Sequence, residues 1–275
     1  MPHLMRPPSS PRLRPFVQTL WATVPNGAAP PHPSGREHVL PTGAMHLVFR
    51  LSGPPLRIFA DAQDRLGSTV AHAIVGGARS SFHARDVSQP TASVGALLHP
   101  GAALPLFGAP EGALAARHTP LDALWGLQAG LALERLQAAG SLAGQLDLFE
   151  ALLLDRLGGC FHGLHPAVAQ ALAPLMQGTL TVAEVAARSG LSHRRFIERF
   201  RGATGLAPKE YAGLHRLDRV LALAAAQPRL GWAQIAVATG YSDQAHLTHA
   251  FTGFAGLSPQ AWRRAGLAST RHVPR

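Results

Sequence analysis

The sequence is poor in cysteine and in lysine, and each shortage narrows the functions open to the chain. Cys160 is the only cysteine in 275 residues. A single cysteine excludes an internal disulfide and any zinc site with several cysteine ligands, and it agrees with a reducing compartment. Lys209 is the only lysine, so arginine carries almost all of the formal charge of +10. This charge favours a polyanionic partner, although an arginine-rich composition alone also makes a protein basic.

Long apolar runs and catalytic motifs are missing as well. The sequence has no uninterrupted run of about 18 apolar residues, and the start MPHLMRPPSSPRLRPF lacks the apolar centre of a secretory signal. We therefore expect a cytoplasmic protein. The sequence also lacks a G-x-S-x-G elbow, a phosphate-cradling glycine loop and an H-E-x-x-H pair. These absences favour a protein that is not an enzyme and has no cofactor.

Residues 180–206, LTVAEVAARSGLSHRRFIERFRGATGL, predict two short helices joined by a tight turn. Thr181 and Glu184 have the spacing of a capping box, which satisfies free amide groups at a helix start. Gly190 stands where the chain needs a positive φ to leave the first helix, and Ser192 can cap the second. The second helix has one apolar face and one face rich in arginine. This arrangement is typical of a helix-turn-helix unit that contacts DNA.

The same pattern returns in the segment LGWAQIAVATGYSDQAHLTHAFTGFAGLSPQAW, so the C-terminal third is a tandem repeat. Matched positions differ by 50 residues up to Gly190 and Gly240, and by 51 residues afterwards. The later pairs are Ser192/Asp243, Phe196/Leu247, Phe200/Phe251, Gly205/Gly256, Pro208/Pro259 and Tyr211/Trp262. Residues 208–227 predict one long helix between the copies, roughly 30 Å in length. That length is close to the ~34 Å between successive major-groove faces on one side of DNA.

The motif from Ala186 to Tyr211, A-x(3)-G-L-S-x(3)-F-x(3)-F-x(4)-G-x-x-P-x-x-Y, and the later GYSDQAHLTHAFTGFAGLSP resemble the AraC/XylS family of bacterial transcription regulators. The resemblance covers residues 175–267. It implies two helix-turn-helix units bridged by a long helix, each placing its second helix in adjacent major-groove segments of double-stranded DNA. It also implies a sequence-specific regulator whose further partners are candidates only: RNA polymerase, a small-molecule effector and a second copy of the chain.

We expect an α+β fold. Short apolar runs separated by glycine and proline between His38 and Gly108 predict a small cupin-like β-sandwich or barrel that can enclose a ligand. The expected order is a disordered segment (1–15), a β-rich sensor-like domain (16–118), a helical pair (119–158), a linker (159–165), the DNA-binding domain (166–267) and a disordered tail (268–275).

The helical pair leaves two interpretations open. Thr119 and Ser141 are the expected caps, and Gly140 and Gly158 are the expected stops. The second helix carries an apolar stripe made of Leu142, Leu146, Phe149, Leu153 and Leu157. This stripe either packs on the β domain of the same chain or forms a dimer interface.

The resemblance places the DNA contacts on the second helix of each unit. In the first unit, Arg194 is expected to bind a guanine edge, Glu198 a cytosine amine and Ile197 a thymine methyl. His193, Arg195 and Arg201 are expected at phosphates, and Arg199 on a solvated or salt-bridged flank. In the second unit, the expected base contacts are Ala245, Thr248 and His249, and the expected phosphate contacts are Gln244, His246 and Thr252. The DNA-contacting helix of the second unit has no arginine or lysine. We therefore expect the first unit to supply most of the base-specific energy.

The histidines do not predict a metal site. Cys160, His162 and His165 are close in sequence but lack a fourth ligand at zinc-like spacing. The histidines at 46, 72, 83 and 99 are scattered, and we interpret each as a surface or satisfied core residue. Three functions stay in view: a regulator that responds to an effector or dimerises, a constitutive or architectural DNA-binding protein, and an enzyme with a regulatory tail. The interior of the β domain distinguishes the first two functions: a polar pocket favours a regulator that responds to an effector, and a packed apolar core favours a constitutive protein.

Overall fold

The computed structural model describes residues 3–25, 35–60, 63–157, 163–265 and 269–274. Over these ranges two antiparallel β-sheets are followed by a helical C-terminal region, which confirms the expected α+β fold. None of the helices within these ranges combines the length and the apolar character that crossing a bilayer requires.

The strands form one six-stranded and one five-stranded sheet in the N-terminal region. In chain order they are β1 (His3–Arg6), β2 (Val17–Thr23), β3 (Arg36–Val39), β4 (His46–Arg50), β5 (Arg57–Phe59), β6 (Ser68–Thr69), β7 (Ala73–Gly76), β8 (His83–Asp86), β9 (Ser93–Leu98), β10 (His118–Pro120) and β11 (His272–Pro274). The first sheet has the order β1-β2-β9-β4-β7-β10, and the second has the order β11-β3-β8-β5-β6. This is the sandwich that the short apolar runs predicted.

The helices begin after the ninth strand and continue through the C-terminal region. They are α1 (Ala103–Phe107), α2 (Glu111–Leu114), α3 (Asp122–Trp125), α4 (Leu127–Ala138), α5 (Leu142–Arg156), α6 (Pro166–Gln177), α7 (Val182–Arg188), α8 (His193–Thr204), α9 (Pro208–Ala226), α10 (Trp232–Ala238), α11 (Gln244–Ala255) and α12 (Pro259–Arg264).

Helix α5 closes the N-terminal core by packing on the six-stranded sheet. Its residues Leu146, Phe149 and Leu153 are fully buried. The ring of Phe149 meets the ring of Phe49 from β4 edge to face, with centroids 5.8 Å apart. The predicted stripe therefore packs within the same chain, because this sheet face needs an apolar cover.

The start of the helical pair differs from its prediction. Thr119 does not cap a helix, because it lies in β10 opposite Val75 of β7. The first helix begins at Asp122 and is interrupted at Gly126, which has a φ of 58°. The Ser141 cap is confirmed, since its side chain accepts a hydrogen bond from the Gly144 amide. The expected stop at Gly158 falls outside the described residues.

Residues 3–15 are ordered, although the prolines of this segment predicted disorder. Strand β1 pairs with β2 along its whole length. Arg6 binds the carboxylates of Asp147 and Glu150 on α5, and the Ser10 amide donates to Glu150 over 2.7 Å. Leu13 is fully buried. The expectation failed because these partners lie far away in the sequence.

The C-terminal tail was also expected to be disordered, but it completes the N-terminal sheet. Strand β11 runs antiparallel to β3, and Val273 is buried with 4% of its surface exposed. The Leu40 amide donates to the Arg271 carbonyl over 2.9 Å. The Arg271 guanidinium pairs with Asp218 on α9 and donates to the Pro41 carbonyl. The tail thus ties the β-sheets to the helical region.

Removing the buried side chain of β11 should therefore destabilise the protein. Val273→Ala takes two methyl groups from a buried site, and we expect the free energy of unfolding to fall by about 1 to 2 kcal/mol. Urea denaturation followed by circular dichroism measures this change. The control is Leu66→Ala, at a position with 78% of its surface exposed, which should change stability by less than about 0.5 kcal/mol. Equal effects of the two substitutions would contradict a stabilising role for the tail.

Candidate nucleic-acid interface

The first helix-turn-helix unit is built by the caps that the sequence predicted. The Thr181 hydroxyl accepts from the Glu184 amide, and the Glu184 carboxylate accepts from the Thr181 amide over 2.7 Å. Gly190 has a φ of 69° at the turn. Ser192 then caps α8 by accepting from the Arg195 amide. These contacts fix where α7 ends and where α8 begins.

The second unit repeats this construction with different residues. The Gln234 side chain accepts from the Gly231 amide at the start of α10, over 3.1 Å. Gly240 has a φ of 80° at the turn, and the Asp243 carboxylate accepts from the His246 amide over 2.8 Å to cap α11. The offset repeat in the sequence is therefore a repeat in structure.

Both units bury large apolar side chains at the matched positions. Phe196 and Phe200 of α8 are fully buried, with ring centroids 5.8 Å apart. In the second unit Phe251 of α11 meets the ring of Trp262 on α12 at 6.1 Å. The inner faces of α8 and α11 are thus held by core packing, which leaves the opposite faces for a partner.

Helix α9 joins the two units. It ends at Ala226, with Gln227 as its C-terminal cap, one residue short of the predicted end. The predicted inward residues Tyr211, Leu214, Leu217, Leu221 and Ala224 are all buried. Tyr211 packs on Phe200 of the first unit, with ring centroids 5.4 Å apart. Gly213 admits the ring of Phe254 from the second unit, since a Cβ at this position would lie 2.9 Å from that ring.

The outer face of α8 holds the residues expected to contact DNA. The exposed members are His193, Arg194, Arg195, Glu198 and Arg201. Ile197 is half-buried and packs partly against the core, so only part of its surface is free for a base.

Arg194 and Glu198 contact each other, which the sequence analysis did not foresee. The Arg194 Nε donates to Glu198 Oε1 over 3.1 Å, and 88% and 59% of these side chains are exposed. An exposed ion pair at i, i+4 contributes only about 0.3 to 0.5 kcal/mol. The pair therefore orders the two side chains but is easily exchanged for contacts with DNA.

The outer face of α11 is polar and carries no formal positive charge. Gln244, Ala245, Thr248, His249 and Thr252 line one shallow depression in the surface. His246 is held by its neighbours, because its Nδ1 lies 3.0 Å from the Ser242 hydroxyl and its ring packs on Tyr241. Helix α8 has four arginines and α11 has none. The structure therefore retains the charge asymmetry that the sequence indicated.

A separate polar cluster lies between the two sheets. His46, His83 and His118 come together there, with ring centroids 4.6 Å apart for His83 and His118 and 6.3 Å apart for His46 and His118. The sequence predicts His46 and His83 as single surface or satisfied core residues, and in the structure they lie together with His118. Strand pairing creates this group, so the spacing of the histidines along the chain does not reveal it.

The cluster does not form a metal site. Within the described ranges, no three histidine, cysteine, aspartate or glutamate side chains are arranged to hold a metal ion. Cys160 and His162 of the second candidate group lie outside these ranges. His165 of that group caps α6, because its Nδ1 accepts from the Ala167 amide over 3.2 Å.

Burial keeps the clustered histidines neutral. Desolvation, assisted by the nearby positive charge of Arg79, lowers the pKa of His46 to about 4 and that of His118 to about 3. Desolvation and the neighbouring His118 lower the pKa of His83 as well. His118 Nδ1 lies 3.2 Å from Arg79 Nη2. Because a guanidinium can only donate, Nδ1 accepts, and the proton of the neutral His118 ring is on Nε2.

Comparisons with known proteins cover both halves of the chain. A family model described as "Helix-turn-helix domain" matches residues 185–265. A second model, described as "Domain of unknown function (DUF6597)", matches residues 5–120. No curated protein matches the chain.

Three solved structures are similar in fold. The C-terminal domain of AraT, a response regulator from Geobacillus stearothermophilus, is 24% identical, with 38% of this chain and 90% of that chain covered and a TM-score of 0.35. ToxT from Vibrio cholerae is 9% identical, with 89% and 98% covered and a TM-score of 0.45. The regulator CdpR from Pseudomonas aeruginosa is 23% identical, with 64% and 46% covered and a TM-score of 0.32.

The neutral histidines predict a loss of stability in mild acid. The unfolded chain takes up protons near pH 6.5, whereas folded His46 and His118 do so only near pH 4 and 3. The free energy of unfolding should therefore be highest above pH 6.5 and fall as the pH decreases from 6.5 towards 4, by up to about 1.4 kcal/mol per pH unit for each histidine. Urea titrations across this range measure the slope. His118→Gln should make the slope shallower, and an unchanged slope would contradict the burial of a neutral His118.

Proposed function

We propose that the chain is a DNA-binding transcription regulator in which α8 and α11 occupy adjacent major-groove segments and α8 determines most of the sequence preference. The helix-turn-helix domain matched at residues 185–265 supports this proposal. The arginine-rich outer face of α8 supports this proposal. That face is exposed, and the opposite face of the helix is locked into the core by Phe196 and Phe200. A helix held in this way can present donors to base edges without first becoming ordered.

Each α8 residue expected to contact DNA then has a role. Arg194 donates two hydrogen bonds to a guanine edge, Glu198 accepts from a cytosine amine, and the free part of Ile197 contacts a thymine methyl. The side chains of His193, Arg195 and Arg201 bind phosphates, which position the helix without reading sequence.

Helix α11 contributes weaker contacts in this proposal. Ala245, Thr248 and His249 face bases, and Gln244, His246 and Thr252 face the backbone. Since none of these side chains carries a permanent positive charge, their contacts release few counterions from DNA. The second unit therefore adjusts register and site length more than it adds affinity.

A comparison of two alanine variants tests this division. Arg194→Ala should weaken binding to the specific site by about 1 to 3 kcal/mol and relax the preference at one base pair, and His249→Ala should weaken it less. Fluorescence anisotropy with specific and scrambled duplexes at two salt concentrations measures both effects. The matched control is Arg65→Ala, which removes the same charge from an exposed position in the N-terminal region. A larger loss for His249→Ala would reverse the proposed division.

We further propose that the N-terminal domain controls DNA binding, through a small molecule and through a second copy of the chain. The dimer part is supported by α4, where Leu127 and Leu131 are one turn apart with 90% and 50% of their surfaces exposed. Burying such side chains against a second copy removes apolar surface from water. The cytoplasm as compartment, expected from the lack of long apolar runs, and RNA polymerase as partner, implied by the resemblance, stay predictions.

The dimer part has its own test. Sedimentation velocity of the full chain should give a dimer, and the double variant Leu127→Glu and Leu131→Glu should shift it to a monomer. The control is Leu66→Glu, which introduces the same charge at an exposed leucine of the β domain and should leave the dimer intact. A monomeric wild-type chain, or a double variant that stays dimeric, would rule out α4 as the interface.

A further inference from the structure

The space between the two sheets has a row of residues that strand register places side by side. On the six-stranded sheet, Gly76 of β7 stands opposite His118 of β10 on one side and His46 of β4 on the other. His46 in turn stands opposite Leu97 of β9. Directly paired residues point to the same face of a sheet. The face that they share points towards β8 of the other sheet, because His83 of β8 reaches the His118 ring.

Gly76 makes this grouping possible. A Cβ at this position would lie 2.2 Å from the His46 ring, so any side chain would displace that ring. The glycine therefore lets the rings of His46 and His118 approach each other across the strand between them. The row of histidines therefore depends on the absence of a side chain at Gly76.

The charges around the row are unbalanced. Arg85 of β8 is matched by Glu37 of β3, with Nη2 and Oε2 2.7 Å apart, and Glu37 also bonds His272. Arg79, which follows β7, donates to the neutral His118 but has no carboxylate partner among the described residues. Arg79 is thus a positive charge at the row that no carboxylate of the described residues matches.

Two polar atoms at the row lack partners. Arg79 Nε and His83 Nδ1 are buried, and within the described part of the chain neither has a hydrogen-bond partner. A buried polar atom without a partner is unfavourable, so native proteins rarely keep one unless something else binds it. With the unmatched charge of Arg79, these atoms are suited to a group that has one negative charge and accepts hydrogen bonds.

The next row on the same sheet face is apolar. Val48 of β4 and Trp21 of β2 both stand opposite Gly95 of β9. Gly95 admits the indole of Trp21, because a Cβ would lie 2.3 Å from that ring. Val48 and Trp21 are only half-buried, so part of their surface is free to contact a ligand.

We propose that this space binds a small organic acid, with its carboxylate at Arg79 and His83 and its apolar body along Trp21 and Val48. The carboxylate accepts from the Arg79 guanidinium, whose Nε has no other partner among the described residues, and it offers an acceptor to the buried Nδ1 of His83. A single carboxylate matches the positive charge of Arg79. This site is the ligand-binding part of the proposed function and rests on it.

The position of Arg79 connects the site to the DNA-binding helices. Arg79 belongs to the segment between β7 and β8, residues 77–82. Residues before and after Arg79 in this segment pack against the helical region. Its contacts there are Ala78 with Gly205 at the end of α8, Ser80 with Glu210 of α9 over 2.9 Å, and the Phe82 amide with the Phe254 carbonyl of α11 over 2.9 Å. A carboxylate bound to Arg79 therefore acts on a segment that contacts both α8 and α11.

Calorimetric titration of the full chain tests the site, with sodium octanoate and sodium benzoate as carboxylate probes. Octanol serves as the neutral probe and inorganic phosphate as the dianion. We expect one carboxylate per chain, and we expect Arg79→Gln to weaken binding about tenfold or more because it removes a charged hydrogen bond. The matched control is Arg117→Gln, which removes an exposed arginine next to His118 and should leave the affinity unchanged. Arg79→Lys, which restores the charge, should recover part of the affinity.

Three results would overturn the inference: no binding of either carboxylate, binding of phosphate or octanol alone, or an Arg79→Gln affinity equal to that of the wild type. Circular dichroism of Arg79→Gln establishes that the variant is folded, and the Arg79→Lys result decides the question if it is not. DNA binding measured on the same samples separates the two proposals. DNA binding without carboxylate binding refutes only the ligand site, and carboxylate binding without DNA binding refutes only the regulator.

Discussion

The relative position of α8 and α11 depends on one constraint, which is their shared packing on α9. Tyr211 of α9 packs on Phe200 of α8, and Gly213 of α9 receives Phe254 of α11. Because close-packed interiors transmit displacement with little compression, neither α8 nor α11 can shift far without moving α9. The spacing of α8 and α11 is therefore a property of the core. In the proposed function, the outer residues of these helices decide which bases are read within that spacing.

The β-sheets are not an independent appendage to this arrangement. The tail strand β11 closes the second sheet and, through Arg271, meets Asp218 of α9, while residues 77–82 touch the ends of α8 and α11. Any change between the sheets has short mechanical routes to the DNA-binding region. Helix α8 has four arginines and α11 has none, so if α8 supplies most of the affinity as proposed, control of the first unit alone would govern DNA binding.

Features encoded locally could be predicted from the sequence, and features made by distant pairing could not. The Thr181 capping box, the Gly190 turn and the buried stripe of α9 depend on neighbours within a few residues, and all three are present. The ordered ends and the grouping of His46 with His118 depend on strand register, which short segments do not specify. The Arg194–Glu198 ion pair is also local, because its i, i+4 spacing can be read directly from the sequence. The residues expected to contact DNA stay predictions.

The most direct test of this account is hydroxyl-radical footprinting of the full chain on a specific duplex. If the two units are held on α9 as described, two protected segments should appear on one face of the duplex, about one helical turn or 10 base pairs apart. Protection should be stronger over the segment assigned to α8. A single protected segment, or two segments on opposite faces of the duplex, would contradict the shared packing as the basis of DNA recognition.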